Sequence, residues 1–251
     1  MIFRKKLPIL ISGFLLAVNC LKAGNFDHSL FDQLLHTYVK EGLVDYAGLG
    51  KDARLKQYLD QLAEMETADL ENQDAGMALW INAYNAYTLK LIIDHYPLKS
   101  ILDIKKPGFE TPWKIPLARI GGTDYSLDQI ENEILRVRWS DPRIHYGLVC
   151  AAQSCPRLRS EAYTQERLHE QLEDQARWFM LHRNRFEQKK KKAYLSQVYE
   201  WYAEDFGKNI QAALVSLIPY AEPELAAALR KNVQDWKVTF VPWDWKLNTQ
   251  P

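Results

Sequence analysis

The chain has 251 residues, 47% of them hydrophobic, with eight tryptophans, thirteen tyrosines and 32 basic against 32 acidic side chains. That is enough apolar and aromatic material for one domain with a real core. A net charge of zero leaves no electrostatic footprint for nucleic acid or anionic lipid.

In chain order, Arg4, Lys5 and Lys6 form a positive segment, Leu7 to Val18 an apolar run, and Ala23 a small residue before Gly24. The run is short for a bilayer, so a cleaved signal peptide is expected over residues 1–23, with one globular domain over 24–251. The alternative is a membrane-anchored lipoprotein acylated at Cys20, although Ala17-Val18-Asn19 lacks the leucine and small residue usual before such a cysteine. Cleavage leaves 28 basic against 32 acidic side chains, a net charge of −4. The expected product is periplasmic or secreted, with no nucleic-acid partner and no stable membrane span.

Leu30, Phe31, Leu34, Leu35 and Tyr38 have helical spacing, as do Leu55, Tyr58, Leu59 and Leu62 over Asp52 to Met65. Between them, Gly42 to Gly50 suggests a short extended piece. Asp74 to Tyr96 is apolar almost all round, which predicts a central buried helix stopped by Pro97. Leu117 to Leu127 predicts a hairpin turning at Gly121-Gly122, and Ser126 with Gln129 has capping-box spacing for the helix that follows. Arg143 to Ala152 alternates and predicts a strand. Thr164 to His182 predicts a helix, Lys189 to Lys192 a turn before a strand at Tyr194 to Ser196, and Tyr199 to Asn232 further helices. Val238, Phe240 and Val241 predict a closing strand before Trp243-Asp244-Trp245, whose aromatics should pack on the domain. The expected fold is α+β, a mostly helical single domain with a central buried helix and a small, mainly antiparallel sheet.

The chemistry-bearing residues gather near 145–156. A Cys/His pair is the minimal kit for thiol nucleophilic catalysis, with the imidazole as base. On a strand, His145 and Cys150 would face opposite sides, roughly 16 Å apart by strand rise, so Cys155 is the better nucleophile. Asn82 and Asn85 share one face of the central helix; they either tie down loop backbone or wall a site and orient His145. Trp80, Ser154 and Glu131 are the candidate binding residues, while Glu133 reads as a solvated residue of the capped helix and Glu204 and Asp205 as an ordinary acidic pair at a helix end. In an oxidising compartment Cys150 and Cys155 are equally a disulfide pair, or Cys150 a plain buried residue. A zinc site on His145 and both cysteines lacks a fourth ligand, so no metal and no cofactor is expected.

Four stretches in order resemble the bacterial branch of the family catalogued as domain of unknown function 547. They are Leu79-Trp80-Ile81-Asn82-Ala83-Tyr84-Asn85-Ala86, Arg143-Ile144-His145-Tyr146-Gly147-Leu148-Val149-Cys150, Ser154-Cys155-Pro156, and Trp243-Asp244-Trp245-Lys246-Leu247-Asn248. Tyr146 stands where similar proteins usually have Phe. The resemblance implies a fold family and no established activity. Two functions follow as expectations. One is a non-catalytic envelope domain that binds a protein or a small ligand. The other is a thiol-dependent hydrolase or acyltransferase acting on amide or peptide substrates, with Cys155, His145 and Asn82 or Asn85 in the catalytic roles.

Overall fold

The computed structural model describes residues 26–66 and 73–251. The signal-like segment and Cys20 lie outside them. Helix α1 (Ser29–Tyr38) leads into a two-stranded hairpin, β1 (Val39–Lys40) and β2 (Leu43–Val44), then the short α2 (Tyr46–Leu49) and α3 (Ala53–Glu64). Asp52 caps α3 by accepting from the Arg54 N–H, satisfying a donor the helix itself cannot. The expected extended piece is thus divided: β2 is extended, and residues 46–49 are helical because the Asp45 carboxylate accepts from the Gly48 N–H.

The long helix α4 (Gln73–Ile93) buries 17 of its 21 residues. Its apolar residues on every side leave it no solvent face, so the rest of the chain wraps around it. The hairpin β3 (Pro116–Ile120) and β4 (Thr123–Ser126) turns at Gly121 and Gly122, both at positive φ. Ser126 and Gln129 form the reciprocal capping box over α5 (Leu127–Gln129). The chain then widens into a π-helical turn, Ile130–Leu135, before α6 (Arg136–Trp139).

Residues 143–152 are not a strand. They form the short α7 (Ile144–Gly147) and then an irregular segment. The physical reason lies in who supplies the hydrogen bonds. The Asn85 amide donates to Gly147 O and accepts from Val149 N–H, and Gln175 donates to Tyr146 O. With side chains satisfying this buried backbone, no ladder is needed, and residues 144–149 are buried at odd and even positions alike.

Helix α8 (Leu168–Arg183) precedes a three-stranded sheet of β5 (Arg185–Glu187), β6 (Lys192–Ser196) and β7 (Lys237–Val241), in which β5–β6 is antiparallel and β6–β7 parallel. Helices α9 (Val198–Trp201), α10 (Ile210–Ser216) and α11 (Pro223–Lys231) fill the crossover. The fold is mostly helical α+β. One hydrophobic cluster surrounds α4; a second joins Tyr146, Phe179, Leu195, Tyr199, Phe206 and Leu214. The last residues run between the 150–155 loop and the N-terminal hairpin, with Asn248 N–H donating to Ala151 O and Val44 N–H to Asn248 O. Among the described residues, no helix is long and apolar enough to cross a membrane.

Candidate functional site

A cavity of about 370 Å³ opens where the two clusters meet. Tyr84 of α4, Glu131 of the π-helical turn and His145 of α7 line it from one side, and Val198, Trp201 and Tyr202 from the other. Trp113, Trp243 and Trp245 complete an aromatic wall. Trp201 lies 4.8 Å from Trp243 and 6.0 Å from Trp245 between ring centroids, and Trp113 lies 5.8 Å from Trp245. Ser154 Oγ accepts from the Asp244 N–H at 2.8 Å. That bond anchors the backbone carrying Trp243 and Trp245, as does the Gln197 carboxamide, which accepts from the Trp243 N–H.

The polar floor is a chain of charges. His145 Nε2 lies 2.7 Å from Asp205 Oδ2. The Arg136 guanidinium holds the same carboxylate with two bonds, Nε to Oδ2 at 2.6 Å and Nη2 to Oδ1 at 3.0 Å. On the other side His145 Nδ1 faces Glu131 Oε1 at 3.7 Å, too long for a hydrogen bond, and it is a buried atom without a hydrogen-bond partner. The ring stacks on Tyr202 at 4.0 Å, and Arg136 lies over the same tyrosine. A π-helical turn widens the helix and redirects its side chains. Here it carries Glu131, only 8% exposed, to the His145 side of the cavity.

Burial works against a charged imidazole at His145. The Asp205 bond and the Glu131 carboxylate outweigh it and hold the ring above its ordinary pKa of 6.5. The same bond from His145, with that from Arg136, holds Asp205 well below its ordinary 3.8. Burial first, and then the Glu131 charge, pushes the Tyr84 and Tyr202 hydroxyls upward, so both remain donors, and the Tyr84 hydroxyl meets Glu131 Oε2 at 3.4 Å.

Cys150 and Cys155 are joined in a disulfide. Cys150 lines the cavity, as do Leu148 and Pro156, while Cys155 is 1% exposed behind it. His145 and Cys150 therefore share one cavity and do not face opposite sides, because the segment between them is not extended. With the pair oxidised, Cys155 carries no free thiol. Asn82 lies elsewhere: its amide donates to Tyr163 O and accepts from Tyr163 N–H. Asn85 holds the 147–149 backbone, and neither asparagine lines the cavity. Trp80 packs edge-on against Tyr125, also away from it. Among the described residues, no group of three His, Cys, Asp or Glu side chains is gathered to hold a metal ion.

Sequence reasoning passed over Asp205, taken for an ordinary helix-end acid, and Tyr202, Arg136 and Tyr84. The available signal was Trp201-Tyr202-Ala203-Glu204-Asp205-Phe206, an acidic pair between large aromatics. Aromatics that crowd around a carboxylate mark a place where its charge needs a partner.

The molecule is thus a helical α+β domain with an aromatic cavity floored by a histidine between carboxylates and flanked by a disulfide. Residues 68–180, which hold α4, the π-helical turn, His145 and both cysteines, match the family model described as protein of unknown function, DUF547. The match covers 113 of the 251 residues and is a similarity to that family over this stretch. No curated protein and no solved structure matches the chain.

Proposed function

We propose that this is an exported, non-catalytic binding domain of the cell envelope that takes a small, largely apolar ligand with a hydrogen-bond donor. The observation that carries this reading is the cavity itself. It is of ligand size, four tryptophans line it, and Glu131 on its floor presents carboxyl oxygens that can accept hydrogen bonds. Lys114 at the edge is paired with Glu110 at 2.6 Å, and His145 faces Asp205 at 2.7 Å and Glu131 at 3.7 Å, so the cations at the cavity already face carboxylates. Export is supported by the N-terminal segment and by the disulfide, which persists in an oxidising compartment. The thiol-hydrolase alternative is less favoured, since the thiol is tied in a disulfide and both nitrogens of its base face carboxylates.

The test is quenching of tryptophan fluorescence by benzylamine, with benzoate as the counter-probe. Benzylamine should bind, benzoate should not, and Trp201→Ala and Glu131→Gln should each weaken benzylamine by about tenfold, the worth of one aromatic or charged contact. Binding untouched by both substitutions would place the ligand elsewhere and end the proposal.

A further inference from the structure

Oxidised, the cysteine pair is an electrophile, and its two sulfurs are unequal. Cys150 is half-buried and lines the cavity, whereas Cys155 is fully buried. Cys155 Sγ accepts two backbone N–H groups, from Cys150 at 3.2 Å and from Ala152 at 3.3 Å. Arg183 donates to the Cys155 carbonyl at 3.0 Å, which keeps a cation beside that residue. Ala151, between the two donors, holds a positive φ of 61° although it has a Cβ, a conformation that L residues with a Cβ rarely adopt, and the N–H groups on either side of it both reach one sulfur. Donors to a sulfur gain strength when it becomes anionic, so Cys155 is prepared to leave as a thiolate.

We propose that Cys150–Cys155 is a thiol–disulfide exchange site that oxidises a thiol bound in the aromatic cavity, a single stoichiometric exchange that goes beyond the binding reading without making the domain a catalyst. A thiol loses its proton, and its sulfur attacks Cys150 Sγ from the cavity side. The ligand–Cys150 bond forms as the Cys150–Cys155 bond breaks, and the electron pair goes to Cys155 as a thiolate held by the two N–H groups. A second thiol then attacks the ligand sulfur of this mixed disulfide and releases Cys150. The ligand leaves as a disulfide. The two protons given up by the thiols return to the two cysteines, and two electrons have moved from ligand to protein. Attack takes this direction because only Cys150 opens on the cavity, and in-line access decides which sulfur is attacked.

The full chain carrying Cys20→Ser leaves Cys150 and Cys155 as its only cysteines. Incubated natively with benzyl mercaptan or 2-mercaptoethanol, thiols of similar basicity, it should be reduced by both, and about fivefold faster by the aromatic one, the worth of an aromatic contact. Trp201→Ala should remove that preference. Adding Cys155→Ser leaves Cys150 alone, and dithiodipyridine should modify it on the order of a hundredfold faster than it modifies Cys155 in the Cys150→Ser chain. A disulfide that resists both thiols until the chain unfolds would overturn the exchange site, and that measurement needs no substitution in the loop. Equal labelling of the two single cysteines would overturn the assigned direction. Reduction without a preference for benzyl mercaptan would overturn the cavity as the thiol's site while leaving the benzylamine result independent.

Discussion

Two buried polar regions of this molecule use the same kinds of side chain to opposite ends. On α4, Asn82 and Asn85 each give one donor and one acceptor to loop backbone, and every bond is between 2.8 and 2.9 Å. The amide nitrogen and the amide oxygen of each are both engaged. Around His145 the accounts stay open: Nδ1 has no hydrogen-bond partner, Glu131 sits 3.7 Å away, and a cavity begins beside them. Buried polar groups that are fully paired hold a fold together, and those that stop short of pairing next to a void are poised for something that enters it. The asparagines are accordingly fasteners, and the His145 cluster is the site.

The sharpest way to break this contrast is to cut a fastener. Asn85→Ala strands Gly147 O and Val149 N–H in the core, so stability should fall by about 4 kcal/mol, measured by urea unfolding. A loss under about 1 kcal/mol would mean that the 147–149 backbone finds other partners and that Asn85 is not structural. Asp205→Asn removes the charge shared by His145 and Arg136. The carboxylate is about a quarter exposed, so the loss should be smaller, about 2 kcal/mol, and benzylamine affinity should change with it because His145 loses its anchor. Cys150→Ser with Cys155→Ser opens a six-residue loop, whose closure entropy gives about 2 kcal/mol. If that pair of changes leaves the melting temperature where it was, the disulfide contributes nothing to the fold and its only role is chemical.

Most of the fold was legible because it rests on local periodicity. The all-apolar run of α4, the Gly121-Gly122 hairpin and the Ser126–Gln129 box read directly into structure. Residues 143–152 did not, because alternation there reflected burial on every side. Asp141-Pro142 was the overlooked signal: the Asp141 carboxylate accepts from Arg143 N–H, and Asp141 O accepts from Ile144 N–H, which starts a helical turn. Half of the site was visible as well, in His145, Glu131 and Cys150. Asp205 and Arg136 were invisible because their pairing spans 69 residues, and no local pattern carries such a distance. The π-helical turn left no mark either, since residues 130–135 show ordinary helical spacing.

The smallest effect separates two histidines. His28 is half-buried between Phe26 and Tyr58, with the Tyr58 hydroxyl 2.8 Å from its Nδ1. Burial lowers its pKa from 6.5 to about 4, against a weaker pull from Asp27. At His145 the carboxylates win and the pKa is raised. A lowered folded value means that the unfolded chain binds the proton more tightly, so the His28 contribution is lost as pH falls from 6.5 towards 4. A raised value means the reverse: the His145 contribution is complete below 6.5 and is lost as pH climbs through the folded value. Between them the two rings should place a stability maximum near 6.5, with Asp205 adding its loss only below 3.8. His28→Gln should flatten the acid side of that maximum, and His145→Gln the alkaline side, in urea unfolding followed across pH. A wild-type chain that loses stability as pH falls below 6.5, by an increment that disappears in His145→Gln, would show the ring buried neutral. Glu131 and Asp205 would then have failed to offset desolvation, and the contrast with the α4 asparagines would collapse.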